Sequence, residues 1–205
     1  MTIIIRFNDN IEHQYYSFDE LLQLPNYNEI THLDCYNNYL TSLPQLPNSL
    51  IELSCYNNNL TSLPELPNSL THLNLWNDNL TNLPQLPNSL THLHCSSNNL
   101  TNLPQLPNSL NTLICSSNNL KSLPLLPNSL NYLCYSNNPI VGYIKKYFND
   151  DWREYREFQH RIQNRINKTF ANKIGEWFLE CKYNPKYRYC REKMIMKGYN
   201  ELYTF

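Results

Sequence analysis

Leu70-Thr71-His72-Leu73-Asn74-Leu75-Trp76-Asn77-Asp78-Asn79-Leu80-Thr81-Asn82-Leu83-Pro84-Gln85-Leu86-Pro87-Asn88-Ser89 is one copy of a 20-residue unit that recurs almost without drift. Full copies begin at Ile30, Leu50, Leu70, Leu90 and Leu110, and a half-copy runs from Leu130 to Ile140. A fixed period of this length marks a solenoid, in which each copy buries its apolar face only against its neighbours. Counting from the leading Ile or Leu, positions 1, 4, 6 and 11 are apolar. Each becomes a column along the solenoid axis at roughly 4.8 Å per copy, the spacing of paired strands. Leu33, Leu53, Leu73, Leu93, Leu113 and Leu133 form one such column. The back half, Leu-Pro-x-Leu-Pro-Asn-Ser, has two prolines three residues apart, which forbids a helix and predicts an extended return.

Position 9 reads Asn38, Asn58, Asp78, Asn98, Asn118 and Asn138. A carboxamide where the chain leaves the strand can satisfy backbone groups of its own and the neighbouring copy, each of which would otherwise cost about 1–3 kcal/mol. An ionised Asp78 lacks the amide donor, so the ladder is expected to be weakest at the third copy. Position 6 holds Cys35, Cys55, Cys95 and Cys115 where other copies have Leu75 and Tyr135. A leucine at the equivalent site says that packing is what the position requires, so these thiols read as small core residues of a reducing compartment.

The side chains flanking the strand columns carry the functional information. Position 7 reads Tyr36, Tyr56, Trp76, Ser96, Ser116 and Ser136; position 3 reads His32, Glu52, His72, His92, Thr112 and Tyr132; position 5 begins with Asp34 and includes His94. The first three strands therefore present an aromatic stripe edged by histidines and by Asp34 and Glu52. Large aromatics are enriched in interface hot spots. This predicts a protein partner held on Tyr36, Tyr56, Trp76, His32, His72, His92, Asp34 and Glu52. His72, His92 and His94 lie within a rung of one another, yet no fixed carboxylate or thiolate completes a tetrahedral set, so no metal is expected. No nucleophile with base and orienting group is discernible and the repeats lack a glycine loop for phosphate, so catalysis and cofactors are not expected.

The formal charge of −1 hides a division: residues 1–140 carry 2 basic and 9 acidic side chains, net −7, while 141–205 carry 14 and 8, net +6. The acidic repeats would repel phosphates, which makes nucleic acid an improbable partner for them. The basic tail, with Arg153, Arg156, Arg161, Arg165 and Lys168, keeps open a nucleic-acid-binding accessory role, although Glu154 and Glu157 interleave with it. A mean hydropathy of −0.57 and the short apolar run at Ile3-Ile4-Ile5 predict neither a membrane span nor a secretory leader.

The repeat over about 30 to 140 resembles the short leucine-rich repeats of bacterial type III secreted effectors. Its Leu-Pro-Asn-Ser-Leu-Thr-His-Leu core is also similar to the FNIP-type repeats of amoebae and giant viruses. The resemblance implies an α+β leucine-rich-repeat solenoid, with short parallel strands and extended convex returns, that binds protein on its concave face. Some such effectors carry a ubiquitin-ligase domain with a catalytic Cys followed by Asp. Here Cys181 is followed by Lys182 and Tyr183, and 65 residues cannot hold that domain, which leaves an adaptor for a host ubiquitin ligase as the related alternative. The block Asn184-Pro185-Lys186-Tyr187-Arg188-Tyr189-Cys190-Arg191-Glu192-Lys193 resembles C-terminal segments of giant-virus proteins, which implies a host cytoplasm.

A solenoid has to hide both ends of its stack. Residues 1–29 read as the front cap: Ile3, Ile5 and Phe7 alternate, Asn8-Asp9-Asn10 is turn chemistry, Ile11 to Tyr16 returns, and Ser17 with Glu20 opens a short helix. Residues 30–140 are the repeats. Residues 141–205 read as a helical cap: Trp152, Tyr155, Phe158, Ile162, Ile166, Phe170, Ile174, Trp177 and Cys181 recur at steps of three and four, and a second, antiparallel helix begins after Asn184.

Overall fold

The computed structural model describes residues 1–8 and 11–183, with side chains described as far as 173. Among these, six three-residue strands, β3 (His32–Asp34), β4 (Glu52–Ser54), β5 (His72–Asn74), β6 (His92–His94), β7 (Thr112–Ile114) and β8 (Tyr132–Cys134), pair in parallel at a uniform 20-residue offset. The predicted column follows from this register. Leu33, Leu53, Leu73 and Leu93 are 1–2% exposed, and the position-1 and position-11 leucines of the inner rungs are fully buried. Cys35, Cys55, Cys95 and Cys115 share the core at 0% exposure with Leu75. Burial pushes the Cys35 and Cys115 thiols up to about 12 and raises those of Cys55 and Cys95 well above the ordinary thiol value, so all four are inert at neutral pH.

Each return from strand to strand is non-helical and ends in a tight turn, with the Leu50, Leu70, Leu90, Leu110 and Leu130 amides donating to the prolines three residues before them. The serine of each Pro-Asn-Ser closes a second ladder. Ser69 Oγ donates to Asn48 O and Leu50 O at 2.8 and 2.7 Å, and Ser89, Ser109 and Ser129 repeat the contact to Leu70, Leu90 and Leu110. This hydroxyl recurs in every copy, and its role follows from the need to satisfy carbonyls at the convex corner.

The chain leaves each strand through a left-handed residue at position 8: Asn37, Asn57, Asn77, Ser97, Ser117 and Asn137 have φ of 54–58°. Asparagine tolerates that region because its short amide bonds locally, and it stands here in repeats that contain no glycine. Serine gains less. Ser97→Asn is expected to raise thermal stability by about 0.5 kcal/mol, measured as a shift in the denaturant midpoint with an unchanged slope.

At the front, β1 (Ile3–Arg6) and β2 (Glu12–Tyr15) form the expected hairpin, and α1 (Phe18–Leu22) follows with Glu20 N bonded to Ser17 Oγ at 3.2 Å. Glu20 returns to the amide of Tyr16, one residue earlier than a capping box requires. The hairpin does more than cover the end. β1 pairs antiparallel with β3, so it extends the sheet to eight strands in the order β2-β1-β3-β4-β5-β6-β7-β8. Ile3 and Ile5 point into the core at 0% exposure, which sends Ile4 and Arg6 to the other face.

Contacts divide the chain into Met1–Glu157 and Phe158–Phe205. In the first part, α2 (Ile140–Phe148) follows the last rung. Ile140 and Ile144 are buried, and Ile140 N donates to Leu120 O at 2.9 Å, continuing the ladder of the repeats. This helix was not among the sequence expectations; Pro139 ahead of it and Gly142 within it mask the i, i+4 pair. α3 (Trp152–Tyr183) begins where the long helix was expected. Trp152 and Tyr155 are buried, Tyr135 Oη donates to Asp150 Oδ1 at 2.9 Å, and Arg156 donates to Leu130 O at 3.0 Å, satisfying a carbonyl of the final rung. In the second part, the stripe runs through Phe158, which is half-buried, to Ile162 and Ile166, which are exposed. The second helix expected after Asn184 lies outside the described residues, as do Asp9 and Asn10 of the hairpin turn.

Candidate protein-interaction face

Strand register converts residues twenty apart into neighbours, and three rows result on the concave side. The outer row runs Glu12, Arg6, His32, Glu52, His72, His92, Thr112, Tyr132, each paired with the next across the sheet. The middle row runs Gln14, Ile4, Asp34, Ser54, Asn74, His94, Ile114, Cys134 by the same pairings. The third is the position-7 row. All eight residues expected from sequence to line the face fall in these rows. Arg6 and Glu12, which sequence reading left in the cap, join them.

The aromatic row is ordered by stacking. Tyr36 and Tyr56 lie parallel, 4.9 Å between centroids with a 2° interplanar angle, and Trp76 continues the row tilted by 43° at 6.0 Å. Tyr36 and Trp76 are 39% and 38% exposed, so the ridge is open to solvent at both ends. Strand spacing near 4.8 Å matches the separation that aromatic rings prefer, which is why three copies of one position can stack without strain. Beyond Trp76 the row drops to small hydroxyls tied to one another, Ser136 Oγ donating to Ser116 Oγ and Ser116 N to Ser96 Oγ, both at 3.0 Å.

The outer row is electrostatic. Arg6 Nε lies 3.7 Å from Glu12 Oε1. Glu52 sits between two imidazoles, with His32 Nε2 at 3.7 Å from one carboxylate oxygen and His72 Nδ1 at 3.9 Å from the other. The His72 and His92 rings stack at 4.3 Å, 9° from parallel. Parallel rings carry parallel lone pairs, which do not converge on one ion, and among the described residues no cluster of metal-binding side chains is present. Burial and then the His72 charge lower the His92 pKa, and burial lowers that of His94. Asp34 accepts from the Tyr36 amide at 3.3 Å, although burial raises its pKa overall. Between the outer and middle rows, from Glu52 to Ile114, runs a groove of about 350 Å³.

Behind the face stands the position-9 ladder. Asn98 Nδ2 donates to Leu75 O, Cys95 O and Ser96 O at 2.8, 3.3 and 3.2 Å, while its Oδ1 accepts from Leu80 N at 2.9 Å. Asn58, Asn118 and Asn138 repeat this pattern. The carbonyls of Cys35, Cys95 and Cys115 thus each receive two amides, one from their own rung and one from the next. Asp78 breaks the series: Oδ1 accepts from Leu60 N at 3.1 Å, but Oδ2 is buried without a hydrogen-bond partner.

The stacked parallel rungs, extended returns and asparagine ladder define a leucine-rich-repeat solenoid of the short twenty-residue class. Solved structures agree. A leucine-rich-repeat domain of a Shigella effector matches with a TM-score of 0.55 and 39% identity, over 58% of this chain and 56% of its own. YopM, a leucine-rich effector protein of Yersinia pestis, matches with a TM-score of 0.51 and 44% identity, over 53% of this chain and 31% of its own. The chain spans about half the length of the first and a third of the second. No family model and no curated protein matches it. The chain is therefore a leucine-rich-repeat protein similar to bacterial effectors in fold, a fold consistent with an interaction scaffold. Among the described residues no helix is long and apolar enough to cross a membrane.

Proposed function

We propose that this chain is a non-catalytic scaffold that holds a protein partner on its concave strand face, anchored on Tyr36, Tyr56 and Trp76. The observation that carries the reading is the ring ridge itself: three aromatics on consecutive rungs, pre-stacked and solvent-exposed at its ends, with hydrogen-bonding groups alongside. A pre-stacked ridge has already lost its rotamer freedom, so a partner covers it at reduced entropic cost. Likeness to effector leucine-rich-repeat domains supports a protein rather than a small-molecule ligand. The four inert core thiols suit a reducing cytosol, and we place the protein there.

Tyr56→Ala with Trp76→Ala is expected to cut partner capture by tenfold or more, about 1.4 kcal/mol or above, while the circular dichroism stays that of the parent. Proximity labelling in the native cell, with the double variant as control, reads this out. Equal labelling by parent and variant removes the aromatic ridge from the account.

A further inference from the structure

The two ends of the sheet are finished differently. After β8 come α2 and α3, and Arg156 donates to Leu130 O of the last rung. At the front the order ends on β2, and among the described residues no strand follows it. Where its free groups point can be read from β1. Arg6 O accepts from Thr31 N at 2.9 Å and from Thr31 Oγ1 at 3.1 Å, so Arg6 turns its backbone polar groups toward β3. These groups alternate along a strand, so Ile4 turns the same way while Ile3 and Ile5 turn toward β2, where Tyr15 and His13 are their register partners. Glu12 and Gln14 therefore direct one N–H and one C=O each away from the sheet, and both residues are exposed. An edge of this kind is a template for another strand. Nothing in β2 blunts it. The strand holds no proline or lysine, its register with β1 runs through all four residues without a bulge, and its carboxylate, Glu12, is countered by Arg6 Nε at 3.7 Å.

The occupant that fits this edge is a second copy of the chain. Two antiparallel copies of one strand can pair about a two-fold axis perpendicular to the sheet, which closes the assembly at two. That symmetry keeps each side chain on its own face, so the pairing has to centre on a residue and not between two. Centred on Glu12, it sets two carboxylates directly opposite each other, which is unfavourable. Centred on Gln14, it calls on Tyr16 N, which already donates to Glu20 Oε2 at 3.3 Å. Centred on His13, it lets Glu12 of each copy exchange two backbone hydrogen bonds with Gln14 of the other, which satisfies every outward group of both residues. It also brings Ile11, 58% exposed, opposite Tyr15, which packs against the core. We propose that this chain forms a two-fold dimer by pairing β2 with β2 of a second copy, antiparallel and centred on His13, so that one sheet runs through both copies. Because the axis is perpendicular to the sheet, both concave faces look the same way, and the two β3 strands stand five strand spacings apart, roughly 24 Å. The dimer does not depend on which residues meet a partner on those faces.

Light scattering on the full chain at about pH 7.5 tests this. The mass is expected to approach twice 24.4 kDa at about 100 μM and to fall toward the single-chain value on dilution. Gln14→Pro removes an outward N–H and leaves the inward pairs in place, so it is expected to weaken the dimer at least tenfold with an unchanged circular dichroism. His13→Glu sets two carboxylates face to face at the axis and is expected to weaken it as much without altering a backbone bond. The register has its own readout. Opposed residues at the axis have Cα atoms about 4.5 Å apart, so His13→Cys is expected to form an intermolecular disulfide with oxidised glutathione, two thiols being oxidised as the glutathione disulfide is reduced to two thiols, whereas Gln14→Cys links no more than the parent does. A monomer at every concentration, which would leave the edge to a strand of another protein, overturns the proposal. So does a dimer that persists in folded Gln14→Pro or in His13→Glu, or a Gln14→Cys chain that links as readily as His13→Cys.

Discussion

Replacing Asp78 by asparagine is expected to stabilise the chain by on the order of 2–3 kcal/mol at about pH 7.5, a rise in melting temperature of roughly 5–10 °C for a protein of this size. The reason is local. The buried carboxylate has one oxygen without a partner, and the carbonyls its amide would have shared are each one donor short: Cys55 O keeps Asn58 and Leu75 O keeps Asn98. Burial raises the Asp78 pKa to about 7, against backbone donors from Leu60 and Asn58 that pull it down. A carboxyl raised above its unfolded value favours the protonated fold. In strong acid both states are protonated and no penalty exists. From about pH 4 upward the unfolded chain releases the proton while the fold retains it, so stability falls until about pH 7 and then levels. Asp78→Asn removes this slope. Denaturant unfolding at a series of pH values reads both effects, and an unchanged slope in the variant contradicts the account of the gap.

The reciprocal change, Asn98→Asp, is expected to cost on the order of 3 kcal/mol at neutral pH. Three donations from Asn98 would be lost and a second carboxylate would enter the ladder one rung from the first. Part of the loss should return on acidification, since a protonated carboxyl can again donate to one of those carbonyls. Combining it with Asp78→Asn shifts the single gap by one rung without adding another. The double variant is therefore expected to unfold close to the parent and far above Asn98→Asp alone. Two residues in one hydrogen-bonded network do not contribute additively, and this restoration measures their coupling.

Much of this was readable because a strict period turns a one-dimensional pattern into rows. Once Leu33, Leu53 and Leu73 share a column, Tyr36, Tyr56 and Trp76 have to share another three residues further along each rung, and the substitution of Leu75 for cysteine identifies the thiols as core. The hairpin was legible as strands but not as part of the sheet, because pairing β1 with β3 depends on where the free edge of the first rung lies, which no local pattern encodes. Arg6 and Glu12 were missed for that reason. The serine ladder had a signal, one hydroxyl in each copy, but its partners lie nineteen and twenty-one residues away across the convex corner. α2 escaped because Pro139 and Gly142 flank and interrupt a single turn of apolar spacing.

The central claim is that the concave rows, and not the convex returns, meet the partner. Its most direct test places a photo-crosslinking residue at Asn74 on the concave face, and in a separate variant at Gln85 on the exposed convex return, and compares adducts in the native cell. The account predicts a discrete adduct from position 74, lost when Trp76 and Tyr56 are also replaced, and none from position 85. A partner trapped from position 85 and absent from position 74 would contradict it.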